Sequence, residues 1–262
     1  MNYPTHIVIT GASGAIGAAL AKAYSKQGVH LSLFGRKVFD LEKIANECRG
    51  LLATVSIYTV DVTQTEALQK ILNDIDAAQP VDLVIANAGI VNYLTANHNE
   101  ESWAETKKLL DVNVIGAFAT VSPLITKMRL RKQGQIALIS SMAAFYGLPV
   151  TPAYSASKAA LKAYGEALRG LLCNDGVKVS VIFPGFVKSN MSDQFLCEKP
   201  FLMSTDKAAK IIKSGLEKNK ARIAFPFLLH LGTRLLTVLP CFISDFILLK
   251  LGYGVIANKK ES

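Results

Sequence analysis

The run His6-Ile7-Val8-Ile9-Thr10-Gly11-Ala12-Ser13-Gly14-Ala15-Ile16-Gly17 decides how the rest of the chain is read. Its first five residues show little polar alternation and read as a short buried strand. A glycine-rich turn leads directly into residues 15–27, where Ala and Leu recur on one helical face. A strand that turns through glycine into a helix gathers free backbone N–H groups at the positive end of the helix dipole. That arrangement suits a phosphate. A tight strand-to-helix connection would also use glycine, but the position after the first strand favours nucleotide binding.

Outward from this turn the pattern repeats. Apolar runs at 30–34, 56–60, 81–86, 135–140 and 178–183 read as strands, and helical patterns occupy 40–48, 65–78, 101–131 and 153–173. Apolar strands separated by helices predict an α/β fold: one doubly wound parallel sheet with helices on both faces. No repeat, linker or low-complexity stretch divides it. The expected organisation is a nucleotide-binding domain over residues 1–225 and an apolar helical C-terminal extension over 226–262.

Composition narrows the classes. Half of the 262 residues are hydrophobic, the mean hydropathy of +0.30 is high, and the net charge is +9. Residues 1–187 hold 17 basic and 14 acidic side chains (+3), whereas 188–262 hold 12 and 6 (+6), so the excess lies in the last quarter. Cys48, Cys173, Cys197 and Cys241 are scattered and read as reduced thiols. His6, His30, His98 and His230 have no ligand spacing, so no metal is expected. The N-terminus lacks a basic segment followed by an apolar one, and a cytoplasmic location is expected.

A second stretch carries chemistry: Tyr154-Ser155-Ala156-Ser157-Lys158, with Ser141 thirteen residues before it. On a helix, Tyr154 and Lys158 share a face one turn apart. A nearby ammonium favours the phenolate and makes tyrosine a usable acid or base. An isolated pair of this kind is more often a core aromatic beside a lysine stem. Ser155 and Ser157 read as helix-surface or packing residues.

Together, Thr10-Gly11-Ala12-Ser13-Gly14-Ala15-Ile16-Gly17 and the Tyr154/Lys158 pair resemble the short-chain dehydrogenase/reductase family, and the resemblance extends over roughly residues 5–225. Asp61-Val62 is similar to the family's adenine contact, and Asn87-Ala88-Gly89 to the turn that steadies the sheet beside the cofactor. Asn113 matches the asparagine of the family's catalytic tetrad, with Ser141, Tyr154 and Lys158 as the other members. Pro184-Gly185-Phe186-Val187 falls where the family binds the nicotinamide end. Two positions depart from the pattern: Ala15 replaces the middle glycine of the turn, and Ser189 stands where threonine is usual. The resemblance implies cofactor contacts from Gly11, Ser13, Gly14, Ala15, Ile16, Gly17, Asp61, Val62, Asn87, Ala88, Gly89, Tyr154, Lys158, Pro184, Gly185, Val187 and Ser189. It also implies that Tyr154 is the proton donor, that Ser141 holds the substrate oxygen, that Lys158 bonds the cofactor ribose, and that Asn113 holds a water.

The second strand bears on the cofactor. NAD enzymes of this fold place an acidic residue at its end, whereas here Gly35 is followed by Arg36 and Lys37, which favours the 2′-phosphate of NADP(H). The expected activity is NADPH-dependent carbonyl reduction, the alternative being an idle NADP-binding regulator or scaffold. Residues 190–204 would form the substrate lid, and Met191, Phe195, Leu196, Phe201, Leu202 and Met203 offer an apolar lining for a small lipid-like molecule. A homo-oligomer is expected, and no nucleic acid partner. In the extension, residues 223–257 carry three charges, Arg234, Asp245 and Lys250, with Pro240 as a break between two apolar helical pieces. Each piece is shorter than the roughly 20 residues of a membrane span. Packing on the body or a second subunit and peripheral contact with anionic lipid through 226–257 both fit. The basic excess favours the second. Replacement Arg36→Asp is expected to raise the KM for NADPH and improve relative use of NADH. An unchanged coenzyme preference in steady-state kinetics would show that Arg36 does not read the phosphate.

Overall fold

The computed structural model of the chain describes residues 3–94, 100–195 and 197–254. In chain order the first half holds β1 (His6–Thr10), α1 (Ala15–Tyr24), β2 (His30–Gly35), α2 (Val38–Gly50), β3 (Thr54–Thr59), α3 (Thr65–Ala78), β4 (Leu83–Ala86), α4 (Trp103–Leu110) and α5 (Gly116–Leu130). Then come β5 (Gly134–Ile139), α6 (Pro152–Leu171), β6 (Val177–Pro184), α7 (Asn190–Asp193), α8 (Thr205–Glu217), β7 (Arg222–Phe225), α9 (Phe227–Leu236) and α10 (Cys241–Lys250). The strands form one parallel sheet in the order β3-β2-β1-β4-β5-β6-β7.

Strand periodicity sorts the core into two layers. Ile7 and Ile9 of β1 point to one face, where Leu31, Leu33, Leu20, Tyr24, Leu41 and Ile212 bring in α1, α2 and α8. Val8, between them, points to the other face and joins Phe34, Val84, Ile136 and Leu138 with residues of α3, α5 and α6. Burial on both faces explains why these strands lack polar alternation. The chain order reverses between β1 and β4, so their C-terminal ends open a crevice at the switch point.

The expected single helix over 101–131 is interrupted. Residues Asp111–Ile115 form a π-turn in which the Gly116 N–H donates to the Asp111 carbonyl. The run Trp103–Leu130 is apolar and long enough to cross a membrane, but half of its most apolar stretch is buried inside the domain. Leu109, Val112, Val121 and Leu124 are core residues, which accounts for its hydropathy. The other strand and helix expectations hold with ends shifted by a few residues, as fraying and turn chemistry ordinarily cause.

Helix α6 lies close against β5 and β6 because Gly165 has no side chain. A Cβ there would sit 2.4 Å from Val181 Cγ2 and 2.8 Å from Leu138 Cδ1. Gly165→Ala is therefore expected to lift α6 off the sheet and lower the unfolding free energy by about 1–3 kcal/mol in a urea titration. An unshifted urea midpoint would contradict this account of the packing.

Candidate active site

The crevice at the switch point forms one end of a large cavity of about 960 Å³. At its β1 end, Gly11 has φ +63°, and a Cβ on it would lie 2.8 Å from Ala88 Cα. Only glycine fits this left-handed, crowded position. The facing loop is locked to it: Asn87 Nδ2 donates to the Thr10 and Gly11 carbonyls, both at 3.0 Å, and Thr10 Oγ1 accepts from the Asn87 and Ala88 N–H groups. Helix α1 begins at Gly14 without a side-chain cap and with no acidic residue in its first turn. Its N-terminal N–H groups thus have neither a competing side chain nor a repelling charge, which fits a pyrophosphate.

The cavity wall contains Gly11, Ser13, Gly14, Ala15, Ile16, Asp61, Val62, Asn87, Ala88 and Gly89 from the expected cofactor set, and at the far end Pro184, Gly185, Val187 and Ser189. Arg36 is also on the wall. Its guanidinium is 61% exposed and 3.8 Å from the Asp61 carboxylate, an ion pair too solvated to tie it down. Asp61 spends its other oxygen on the Thr63 N–H and hydroxyl, which fixes the turn into α3.

Three expected cofactor or catalytic positions lie off the wall. Gly17 sits beneath the turn, where a Cβ would meet the Gly11 carbonyl oxygen at 2.3 Å, so its part is close packing. Lys37 is exposed and precedes α2 as its N-cap residue, beside the cavity rim but not on it. Asn113 is fully buried in the π-turn. Its Oδ1 accepts from the Ile90 N–H at 2.8 Å, and its Nδ2 donates to the Ile90 carbonyl and to Ser157 Oγ. The side chain thereby clamps the strand-β4 loop to α6.

Ser141, Tyr154 and Lys158 meet on the cavity wall. Helix α6 starts with Pro152, and no local side chain caps it. Both Glu101 carboxylate oxygens instead accept from the Ala153 N–H, at 3.1 and 3.0 Å. One turn on, Ser140 Oγ donates to the Lys158 carbonyl at 2.7 Å, and Lys158 Nζ donates to the Ile139 carbonyl at 3.0 Å. The ammonium lies 5.5 Å from the Tyr154 ring centroid, and Gly89 lets the β4 loop pass close to it.

Burial pushes the Tyr154 phenol above its ordinary value, while its hydrogen bond with Ser141 works in the opposite direction. The expected lowering by Lys158 does not prevail here, because desolvation is the larger effect. Burial also pulls Lys158 down to about 8. Of the two readings of Ser155 and Ser157, packing holds and helix surface does not: both are buried, Ser155 Oγ accepting from the Leu148 N–H and Ser157 Oγ from Asn113.

Beyond the reacting groups the cavity is apolar. Met191, Phe195 and Phe201 of the lid line it, but Leu202 faces solvent and Met203 is buried in the main core through a bridge to Val187. Leu196 lies outside the described residues. Sequence reasoning missed Tyr93, Tyr146 and Leu148, and the wall supplied by α9 and α10, including Leu229, Thr233 and Leu236. The tail's apolar character was the signal for the helices. Nothing marks the two tyrosines.

Fold and site together define an oxidoreductase built on a nucleotide-binding sheet. The chain belongs to the short chain dehydrogenase family, whose family model matches residues 5–199, and enzymes of this family use nicotinamide cofactors and act on small molecules. It is similar to an uncharacterized oxidoreductase of Myxococcus xanthus, with 38% identity over 92% of this chain and 94% of that one. A 3-dehydrosphinganine reductase of Arabidopsis thaliana is 31% identical over 85% of this chain and 70% of its own length. Among solved structures, a short-chain dehydrogenase from Sphingobium yanoikuyae in complex with NADPH has the same fold, with a TM-score of 0.78 at 19% identity and 98% of each chain covered.

The buried lysine has a consequence for stability. With a folded value near 8 against an unfolded value of 10.5, the unfolded chain holds more protons between those two pH values. Stability of the ligand-free protein should therefore rise as pH goes from about 8 to 10.5 through this group, by up to ~3 kcal/mol. Lys158→Met should flatten that part of the pH profile and be at least as stable as wild type at pH 7. Thermal melts of both proteins across this range check it, and parallel profiles would overturn it.

Proposed function

We propose that the chain reduces a carbonyl group on an apolar, lipid-like small molecule with NADPH as coenzyme. The observation that carries this reading is that Ser141, Tyr154 and Lys158 share the cavity wall where the phosphate-binding crevice meets an apolar cavity. NADPH, when bound, supplies the hydride. Tyr154 gives its proton to the substrate oxygen as negative charge builds there, and Ser141 donates a hydrogen bond to the same oxygen. A carbonyl oxygen in this position shares Ser141 with a phenol that burial keeps protonated, so the acid is poised to donate. Lys158 holds the ribose of the cofactor and, as a cation close to the ring, favours the phenolate left after donation. Asn113 is a positioning residue through Ile90 and Ser157.

The exposed Arg36 guanidinium beyond β2, with no carboxylate at that strand end, supports NADPH over NADH. The apolar lid and tail residues on the cavity wall, and the 3-dehydrosphinganine reductase among the relatives, support a long-chain keto substrate. We further read the protein as a homo-oligomer of the cytoplasmic compartment that makes peripheral contact with membranes through 226–257.

NADPH oxidation at 340 nm with ketones of graded chain length tests the assignment. Turnover should rise with chain length. Tyr154→Phe should keep NADPH binding within a few-fold and lose at least a hundredfold in kcat. Cofactor binding with no reduction of any carbonyl, and no effect of Tyr154→Phe on function, would leave a binding protein in place of an enzyme. Faster turnover of short polar ketones would overturn the lipid-like substrate.

A further inference from the structure

Helices α9 and α10 show polarity opposite to that of helices on a wetted surface. Their small polar side chains turn toward the body: Thr233 Oγ1 donates to the His230 carbonyl and lies 3.8 Å from Met142 Sδ, the His230 ring packs on Phe145 at 4.9 Å, and Ser244 is fully buried with its hydroxyl on the Leu236 carbonyl. Leu229, Leu236 and Leu248 turn to the cavity wall and the small core beside it, but many of the large apolar side chains face outward. Phe227, Leu231, Val238, Phe242, Phe246 and Leu249 are each more than half exposed, Phe242 at 74%. With their neighbours they present an apolar area on the order of 1,000 Å², above what the largest patch of a monomer ordinarily shows.

Four further residues join this face to the cavity. Leu228, Leu235 and Leu251 of the tail and Phe201 of the lid line the cavity and are also more than half exposed, so they stand at its mouth. The cavity thus opens through the apolar face itself. Arg234 and Lys250 are exposed on the two helices, against the single acid Asp245, also exposed and accepting a hydrogen bond from Tyr146, so the two helices carry a net positive charge. Residues 188–262 as a whole carry 12 basic and 6 acidic side chains.

We infer that the outward face of α9 and α10 docks on the surface of an anionic lipid bilayer, with the cavity mouth opening into its apolar layer so that substrate passes from bilayer to active site without crossing water. An interfacial segment places apolar side chains among the acyl chains and cations at the headgroups, which is the distribution seen here. A second protein copy on the same face would cover the mouth, whereas acyl chains leave it passable to an apolar molecule. The loading route rests on the lipid-like substrate proposed above. The docking face does not.

The test uses full-length protein with phosphatidylcholine vesicles, with and without phosphatidylserine, and the double variant Phe242→Glu/Phe246→Glu, whose two positions lie off the cavity wall. Wild type should co-sediment with the serine-containing vesicles at low salt, and at least tenfold less with pure phosphatidylcholine. The double variant should stay in the supernatant and keep wild-type kcat for a short water-soluble ketone. On a long-chain ketone carried in the vesicles it should lose at least tenfold in rate. Hydrogen exchange on wild type supplies a readout that needs no variant: vesicles should slow exchange in 227–251 and leave α3 unchanged. Wild type remaining in solution, or the variant sedimenting equally, would overturn the docking face. A dimer in analytical ultracentrifugation that the double variant dissociates would assign the face to a second copy instead. Vesicle binding without turnover of any ketone would sink the reductase reading alone. Equal rates for both proteins on vesicle-borne ketone would sink the loading route alone.

Discussion

Two hydrogen bonds between the end of β5 and the first turns of α6 hold the site to the sheet. Ser140 Oγ donates to the Lys158 carbonyl, and Lys158 Nζ donates back to the Ile139 carbonyl. Both are buried, so each partner would be costly to leave alone. The pair fixes how far α6 can slide along the strand, and Tyr154 rides one turn before it. Gly165 sets the height of the helix above the sheet and these bonds set its position along the strand, so the place of Tyr154 on the cavity wall beside Ser141 and Lys158 follows from the packing. The tightness comes at the expense of stability, since an ammonium is held where water is scarce.

The same frame explains why the cavity is polar at one end and apolar at the other. Parallel strands end in main-chain groups, and the loops after β1, β4 and β5 spend these on one another, on Asn87 and on Asn113. The start of α1 has no side-chain cap and no acidic residue, and there an anion fits. Past β6 the chain no longer builds sheet edges toward the cavity. Lid and tail meet it mostly with apolar side chains, around a small core that includes Phe195, Leu236, Leu248 and Tyr253. The tail is held over the site from outside, with the Tyr146 hydroxyl on Asp245 as one of few polar ties.

Much of this was legible in the sequence because strands buried on both faces read as short apolar runs, and the helices between them keep an apolar period of three to four residues. The apolar runs marked a parallel sheet and the Gly11–Gly17 turn its phosphate end, whereas the sorting of Ile7 and Ile9 from Val8 into two layers shows only in the packing. Spacing also brought Ser141, Tyr154 and Lys158 to one wall. Less legible were roles that depend on contacts distant in sequence. Glu101 at the start of α6, Ser157 against Asn113, and Tyr93 on the cavity wall carry no local mark. Gly17 was placed with its neighbours in the turn, yet its hydrogen atom faces the Gly11 carbonyl and not the cavity. Leu202 and Met203 have equal hydropathy claims on a lid lining, but the Val187–Met203 bridge turns the second of them inward.

The π-turn between α4 and α5 reaches further than its five residues suggest. Widening one turn takes up one residue more than an α-helix would, and each residue of an α-helix turns the chain by about 100°. The two helices around Asp111–Ile115 are thus out of angular phase with a continuous helix by that amount. That phase slip lets Val112 reach the core while Asn113 faces Ile90 and Ser157. Removing one residue from this turn would ease the backbone into an unbroken helix and keep its apolar stripe intact on one side of the gap only. Either the clamp on Ile90 or the docking of α5 on α3 would then be turned away from its partner. The irregularity is therefore a phase setting, and the length of this stretch is constrained to the single residue even where its composition is not.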